Sequence, residues 1–546
     1  MRQNIKTIYR LRITDYRLRL TPHASRLTMH GLSLTAYCLL LTVHCLLLLT
    51  ACQMGTPPRL AAEATRTAWT PTPTPEKVVL PVDGTPVPAL TQAETITSAV
   101  PNASISVWVN ETSPEHRAAL QQMADEFSEL AQVDVELMFM SPPLLPDLVH
   151  TAVLSGTLPD IIIHPLEYTA GWAERGILNV AAAETAVTQI GRDTFDPAAL
   201  ELLTVDGQLA ALPSNGYKQL LIYRTDWFEE ANLDVPDNFA AMYAAAEATT
   251  DRENLRAGFV IPTESNLITT HQAFEQIALA NGCTLIDEKG EVLLPEPPCR
   301  EALDFYFRIV NQFSPIGVQT DTSTRNAYLA GRTGLIMAGP EMLPLLAGLD
   351  DSLPPTCPEC AGDPQFLAEN SAILTEIEGE NGGSAGFSNI TNLGITSAAD
   401  VGTAVAFANF WFNEGYDTWL GVNSERKVPL RWGTAVNPTQ FIDTWGHTGA
   451  PSLADLYGEE LIAQLRDGVA AAPRWGIRQG QGSLLTTLYE NLTISVTLQE
   501  MLSGYFNPTQ TIIEAYNRVT DEIPNYQYDR DLETEFQAEE TPESEE

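Results

Sequence analysis

At 546 residues the chain exceeds one simple domain, and a hydrophobic share of 44% is enough to build packed cores. Lys and Arg number 30 against 70 Asp and Glu, a formal net charge of −40. Seven of the bases and one acid fall in the first 51 positions, so the remainder carries 23 bases against 69 acids, which argues against nucleic acid or anionic lipid headgroups as partners.

In chain order, the first feature is a leucine-rich run, Leu39–Leu49, ahead of Thr50-Ala51-Cys52. It is too short for a comfortable membrane span and suits the core of a signal peptide. Leu49-Thr50-Ala51-Cys52 resembles the bacterial lipobox, which implies a signal peptide over 1–51, cleavage before Cys52 and a lipid on its thiol. A start at Met29 would shorten the basic stretch that precedes the core. From 52 to 103 the composition is Thr, Pro and Ala, including Thr70-Pro71-Thr72-Pro73-Thr74-Pro75. Proline stiffens the chain and removes donors, so this segment reads as an extended tether. The expected location is the extracellular face of the cell membrane, lipid-anchored, or a periplasm.

The body follows. Ser104–Val109 alternates, with Ile105, Val107 and Val109 on one face, as a strand does. Ser113-Pro114 opens a helix, Ser as N-cap and Pro in the first turn, and Leu120, Met123, Phe127 and Leu130 form its apolar stripe. Val133–Phe139 is a second strand, and Asp160-Ile161-Ile162-Ile163 a short buried one. Strands alternating with helices predict an α/β fold with a mostly parallel sheet, whose ligands bind beyond the carboxyl ends of strands. Trp108, Asn110 and His164 lie at such ends. The last segment, 526–546, is acidic, poor in apolar residues and expected as a disordered tail.

Of seven cysteines, Cys38 and Cys45 leave with the signal peptide and Cys52 takes the lipid. The remaining four suggest two bridges in an exported protein, Cys283 with Cys299 and Cys357 with Cys360 by proximity. Cys357-Pro358-Glu359-Cys360 could also be half a zinc site or a redox pair, but a second CxxC and a nearby His are missing, so no metal is expected. Gly382-Gly383-Ser384-Ala385-Gly386 matches a hydrolase elbow, with Asp417 and His447 downstream. The acidic, polar stretch before it is not the strand that such an elbow requires. No nucleotide-binding fingerprint is present, and no cofactor is expected.

Several segments resemble, in order, family 1 extracellular solute-binding proteins of the maltose-binding type. They are Ser104–Leu130, Leu158–Ile163, Trp172–Leu178, Asp206–Pro213, Leu221–Phe228, Asn281-Gly282 with Asp287–Glu291, Glu301–Tyr306, Ala327–Pro340, and Asn392–Thr396 with Phe407–Phe412. The resemblance covers about 104 to 525. It implies a bilobal, periplasmic-binding-protein-like fold of type II, with a hinge and an interlobe cleft. Lobe 1 would hold 104–213 and about 388–430, lobe 2 214–387 and about 431–525. It further implies capture of a small solute, a sugar or oligosaccharide, by a monomer that delivers it to the membrane subunits of an ABC importer without chemistry. A secreted glycosidase or esterase, and a sensor uncoupled from transport, are the alternatives. Sugars need aromatic platforms plus amides, carboxylates and Arg. The residues set at family cleft positions are Trp108, Asn110, His164, Glu167, Tyr217 and Glu341, with Trp432, Trp475 and Arg478 in C-terminal loops.

Overall fold

The computed structural model describes residues 103–527 and 530–540. The expected signal peptide, Cys52 and tether lie outside them. The strands are β1 (Ser104–Val109), β2 (Asp134–Phe139), β3 (Ile161–Pro165), β4 (Thr204–Val205), β5 (Gln208–Leu209), β6 (Leu212–Lys218), β7 (Leu220–Arg224), β8 (Ala257–Val260), β9 (Thr333–Ala338), β10 (Ser371–Leu374), β11 (Ser388–Ile395) and β12 (Val428–Pro429). They build a six-stranded sheet of order β12-β6-β11-β3-β1-β2, a four-stranded sheet of order β10-β7-β9-β8 and the two-stranded pair β4-β5. Each of the two larger sheets is the centre of one lobe of a bilobal α/β fold.

The first lobe begins as its sequence predicts. Ile105, Val107 and Val109 are buried. Ser113 caps the helix Pro114–Ala131 by accepting from the His116 N–H at 3.2 Å. Leu120, Met123 and Phe127 turn into the core, where Phe127 meets Phe407 edge-on at 5.1 Å. Leu130, expected on the stripe, is exposed instead: the helix ends one residue later, and Ala131 takes the inward place. Asp160 fixes β3 against β1, since its carboxylate accepts from both the N–H and the hydroxyl of Ser106 at 2.8 and 2.7 Å. Asp206-Gly207, both at positive φ, form the two-residue turn between β4 and β5.

The sheets are mixed, not mostly parallel. Parallel pairing joins β1 to β2 and to β3, whereas β11 runs antiparallel to both β3 and β6, and β12 antiparallel to β6. The cause is topological. β6 carries the chain out of the first lobe in the direction of β1 and β3, and β11 brings it back between β3 and β6, so it runs against both. Gln219 alone separates β6 from β7 of the other sheet, and its N–H donates to Phe387 O at 2.9 Å, where the chain returns.

The acidic end is not wholly a tail. It carries a helix, Leu532–Glu540, in which Leu532 and Phe536, four apart, share one buried face. Arg530 fastens it to Glu296 at 2.8 Å. Among the described residues no helix is long and apolar enough to cross a membrane.

The Cys283 and Cys299 sulfurs lie at disulfide distance, as do those of Cys357 and Cys360. The first pair closes 16 residues and the second only 3. Chain entropy then predicts that Cys283→Ser with Cys299→Ser costs about 3 kcal/mol in denaturant unfolding, and that the second pair costs less. Burial also sets a pH response. It lowers the pKa of His271 to about 3 and of His164 to about 4. At these two sites the unfolded chain therefore binds more protons below pH 6.5, and the stability they contribute above it is lost as pH falls toward 4. His271→Phe, which keeps the ring stacked on Tyr489 at 4.0 Å, is expected to flatten this fall by up to about 1.4 kcal/mol per pH unit.

Candidate ligand cleft

A cavity of about 330 Å³ lies between the two sheets. The walls combine carboxyl ends of strands and the turns after them with the amino end of the reversed strand β11 and the first turns of two helices. The first lobe contributes Asn110 and Glu111 after β1, Pro165 at the end of β3, Tyr217 on β6, Asn389 and Thr391 on β11, and Arg426. The second contributes Thr269 and Gln272 from the helix Ile268–Ala280, Asp321, Thr324 and Arg325 from the helix Asp321–Leu329, and Gly339 and Glu341 after β9. Gln219, at the crossing, lines it too.

The charges are mixed. Arg426 lies over the Tyr217 ring, 4.8 Å from its centroid, and its Nε is 3.9 Å from Glu341. Despite burial, Tyr217, Glu341 and Glu111 hold the guanidinium charged. Burial pushes the Tyr217 hydroxyl and the Asp321 carboxyl upward. Next to Arg426, burial raises Glu425 to about 7 and lowers Lys427 to about 7. Lys427 turns away from the cavity, donating to Trp419 O at 2.7 Å with its Nζ 3.6 Å from the Trp419 ring centroid. The wall thus offers two guanidiniums, three carboxyls, amides and hydroxyls, with one aromatic ring and several proline faces.

Of the residues expected from the sequence, Asn110, Tyr217 and Glu341 meet here. The others do not line the cavity. Trp108 packs against the core beneath the sheet. His164 is fully buried on the face of β3, its ring against Trp172 at 5.2 Å and its Nδ1 3.0 Å from Pro165 O. Glu167 is buried one layer behind the wall. Trp475 is buried and donates from its ring to Cys283 O at 2.9 Å. Arg478 donates to Ala470 O at 2.9 Å. Trp432 lines a separate open pocket with Arg192, Phe195 and Glu201. Sequence reading missed Glu111, Gln272, Asp321, Arg325 and Arg426. Ser384 donates to Glu376 at 2.8 Å, and His447 sits 3.1 Å from Glu459, so the hydrolase pattern is not assembled around the serine.

A larger groove, about 950 Å³, lies on the second lobe alone, among Phe313, Ile316, Leu329 and Leu353. It lacks the convergence of polar groups from two lobes that marks the cleft.

Residues 110–344 match the family described as bacterial extracellular solute-binding protein. The chain is 26% identical over 261 residues to the maltotriose-binding protein of Pyrococcus abyssi, covering 47% of this chain and 54% of that one. It spans about half the length of the curated relatives it matches. In fold it resembles an ABC transporter solute-binding protein of Thermotoga lettingae bound to alpha-D-tagatose, with a TM-score of 0.61 at 18% identity over 77% of this chain and 100% of the other. It also resembles one of Agrobacterium radiobacter in complex with ribitol, with a TM-score of 0.60 at 16% identity over 78% and 100%. Sequence match and fold agree: residues 110–344 match the bacterial extracellular solute-binding proteins, and the fold resembles that of ABC transporter solute-binding proteins.

Proposed function

We propose that the chain captures a small polyhydroxylated solute, a monosaccharide or polyol, in the interlobe cavity and passes it to an ABC importer, with a lipid on Cys52 holding it at the membrane. The observation that carries this reading is the cavity itself. Polar side chains from two separate sheets converge on one small space, so a ligand held by both walls favours lobe closure. About 330 Å³ is at the low end of the roughly 300–1,000 Å³ usual for ligand sites, which supports a small ligand over a long oligosaccharide. Hydroxyls both donate and accept, and they suit a wall that mixes guanidiniums with carboxyls and amides. The sparsity of aromatic rings favours a polyol or single sugar ring over stacked sugars. The sugar and polyol in the related structures agree with this class, and the match to solute-binding proteins supports a role without chemistry on the ligand.

Thermal unfolding of the full chain with D-tagatose, ribitol, D-mannitol, maltotriose, spermidine and glucose 6-phosphate tests the class. A sugar or polyol at a hundred times its dissociation constant is expected to stabilise the chain by about 2.7 kcal/mol, about 3 °C, and to be recovered unchanged. A shift with spermidine or glucose 6-phosphate alone would replace the class, and a cleaved product would reinstate the hydrolase. Arg426→Ala is expected to weaken binding of the hit about ten- to hundredfold by calorimetry, the range for a hydrogen bond to a charged group. Trp432→Ala, outside the cleft, is expected to leave affinity unchanged.

A further inference from the structure

Directly behind the cavity wall lies a buried charge cluster that ligand contact does not account for. Glu167, after β3, and Glu275, on the helix Ile268–Ala280, share Arg474. Arg474 donates from Nε to Glu275 at 3.0 Å and from Nη1 to Ser388 O at 3.1 Å, and its guanidinium lies over the Phe387 ring at 4.4 Å. Tyr489 donates to the other Glu275 oxygen at 3.1 Å. All of Glu167, Glu275, Arg474 and Tyr489 are buried.

Glu167 is the unusual member. Arg474 stands 4.0 Å away, and the Glu167 Oε2 nearest it has no hydrogen-bond partner among the described residues. Its Oε1 instead receives Gln272 Nε2 at 3.3 Å and Asn389 Nδ2 at 3.4 Å. Those two amides line the cavity from opposite lobes. Burying a second acid beside one arginine is costly, and a purely structural ion pair would close to contact. A carboxylate only accepts, so both amides must turn their NH2 groups toward it. The Asn389 carbonyl oxygen is occupied by the Ile390 N–H at 2.9 Å and Arg474 at 3.4 Å. The Gln272 carbonyl oxygen is left for the ligand.

We infer that Glu167 is a positioning residue of the solute site: it ties Gln272 of one lobe to Asn389 of the other and fixes Gln272 as an acceptor for a ligand hydroxyl. This rests on the cavity being the solute site. The test separates length from charge. Glu167→Gln keeps the acceptor at its place, whereas Glu167→Asp keeps the charge and withdraws the acceptor by one methylene. In full chain labelled with 15N at Asn and Gln side chains, the wild-type Gln272 and Asn389 amides are expected to exchange at least tenfold more slowly than exposed amides. Glu167→Asp is expected to abolish that protection and to weaken ribitol or D-tagatose binding about tenfold. Glu167→Gln is expected to stay within about threefold of wild type in both. The reverse order, with Gln harmful and Asp harmless, would make Glu167 an ion-pair partner only and overturn the inference, as would unprotected wild-type amides or two unaffected variants. If wild type binds neither probe, the binding reading fails for those ligands, and amide exchange alone still decides whether the tie exists.

Discussion

The pairing of β6 with β11 is the constraint on which the rest of the structure depends. Both strands belong to the first sheet, and both lead directly to or from the second lobe. Their ladder runs from Ser388 opposite Lys218 to Leu393 opposite Leu212. Gln219 and Phe387, bonded at its end, mark the point where one lobe becomes the other. Because Tyr217, Gln219, Asn389 and Thr391 lie on or beside this ladder, the floor of the cleft is made of hydrogen-bonded backbone. Gly216 shows how close the packing is there: a Cβ would sit 2.6 Å from Val469. The walls can then differ in what they present while the floor stays fixed.

What the walls present is a layered arrangement of charge. Arg426 reaches the cavity from a short turn in which Glu425 and Lys427 face elsewhere, and Tyr217 and Glu341 receive it. Behind the wall, where the two lobes meet, Arg474 pairs closely with one of two buried acids and leaves the other to orient amides. In both places a guanidinium is held between an aromatic ring and a carboxylate, a combination that limits its conformations and lowers the entropy lost when a ligand binds. A body so acidic overall thus concentrates some of its few cations around one small volume.

The sequence made the local elements readable and the site only in part. Alternation in Ser104–Val109 and the Ser113-Pro114 cap are written in nearest-neighbour chemistry, and each forms where that chemistry places it. Asn110, Tyr217 and Glu341 were accessible because they follow recognisable segments. His164, Glu167 and Trp475 show the limit: a position near a strand end or in a loop does not say which face a side chain takes. His164 lies against Gly394 and Trp172 on the sheet face, an outcome decided by β11, far away in sequence. Arg426 was hidden differently. Nothing local in Glu425-Arg426-Lys427 marks a cleft position, and only the return of the chain to pair β12 with β6 turns its middle residue inward. The parallel bias expected of the sheet failed for the same reason, since crossing strands leave no helical signature of their direction.

The order β6-β11-β3 has one more consequence. The strand that fills the middle of the first sheet is made after most of the second lobe, so β3 and β6 wait as open edges until residues 388–395 have been synthesised. A fragment that stops between β7 and β11 is half a sheet with open borders, the form in which strands pair with the wrong chain. The two lobes are therefore separate in shape but not in assembly, and the body matures as a single late event rather than lobe by lobe.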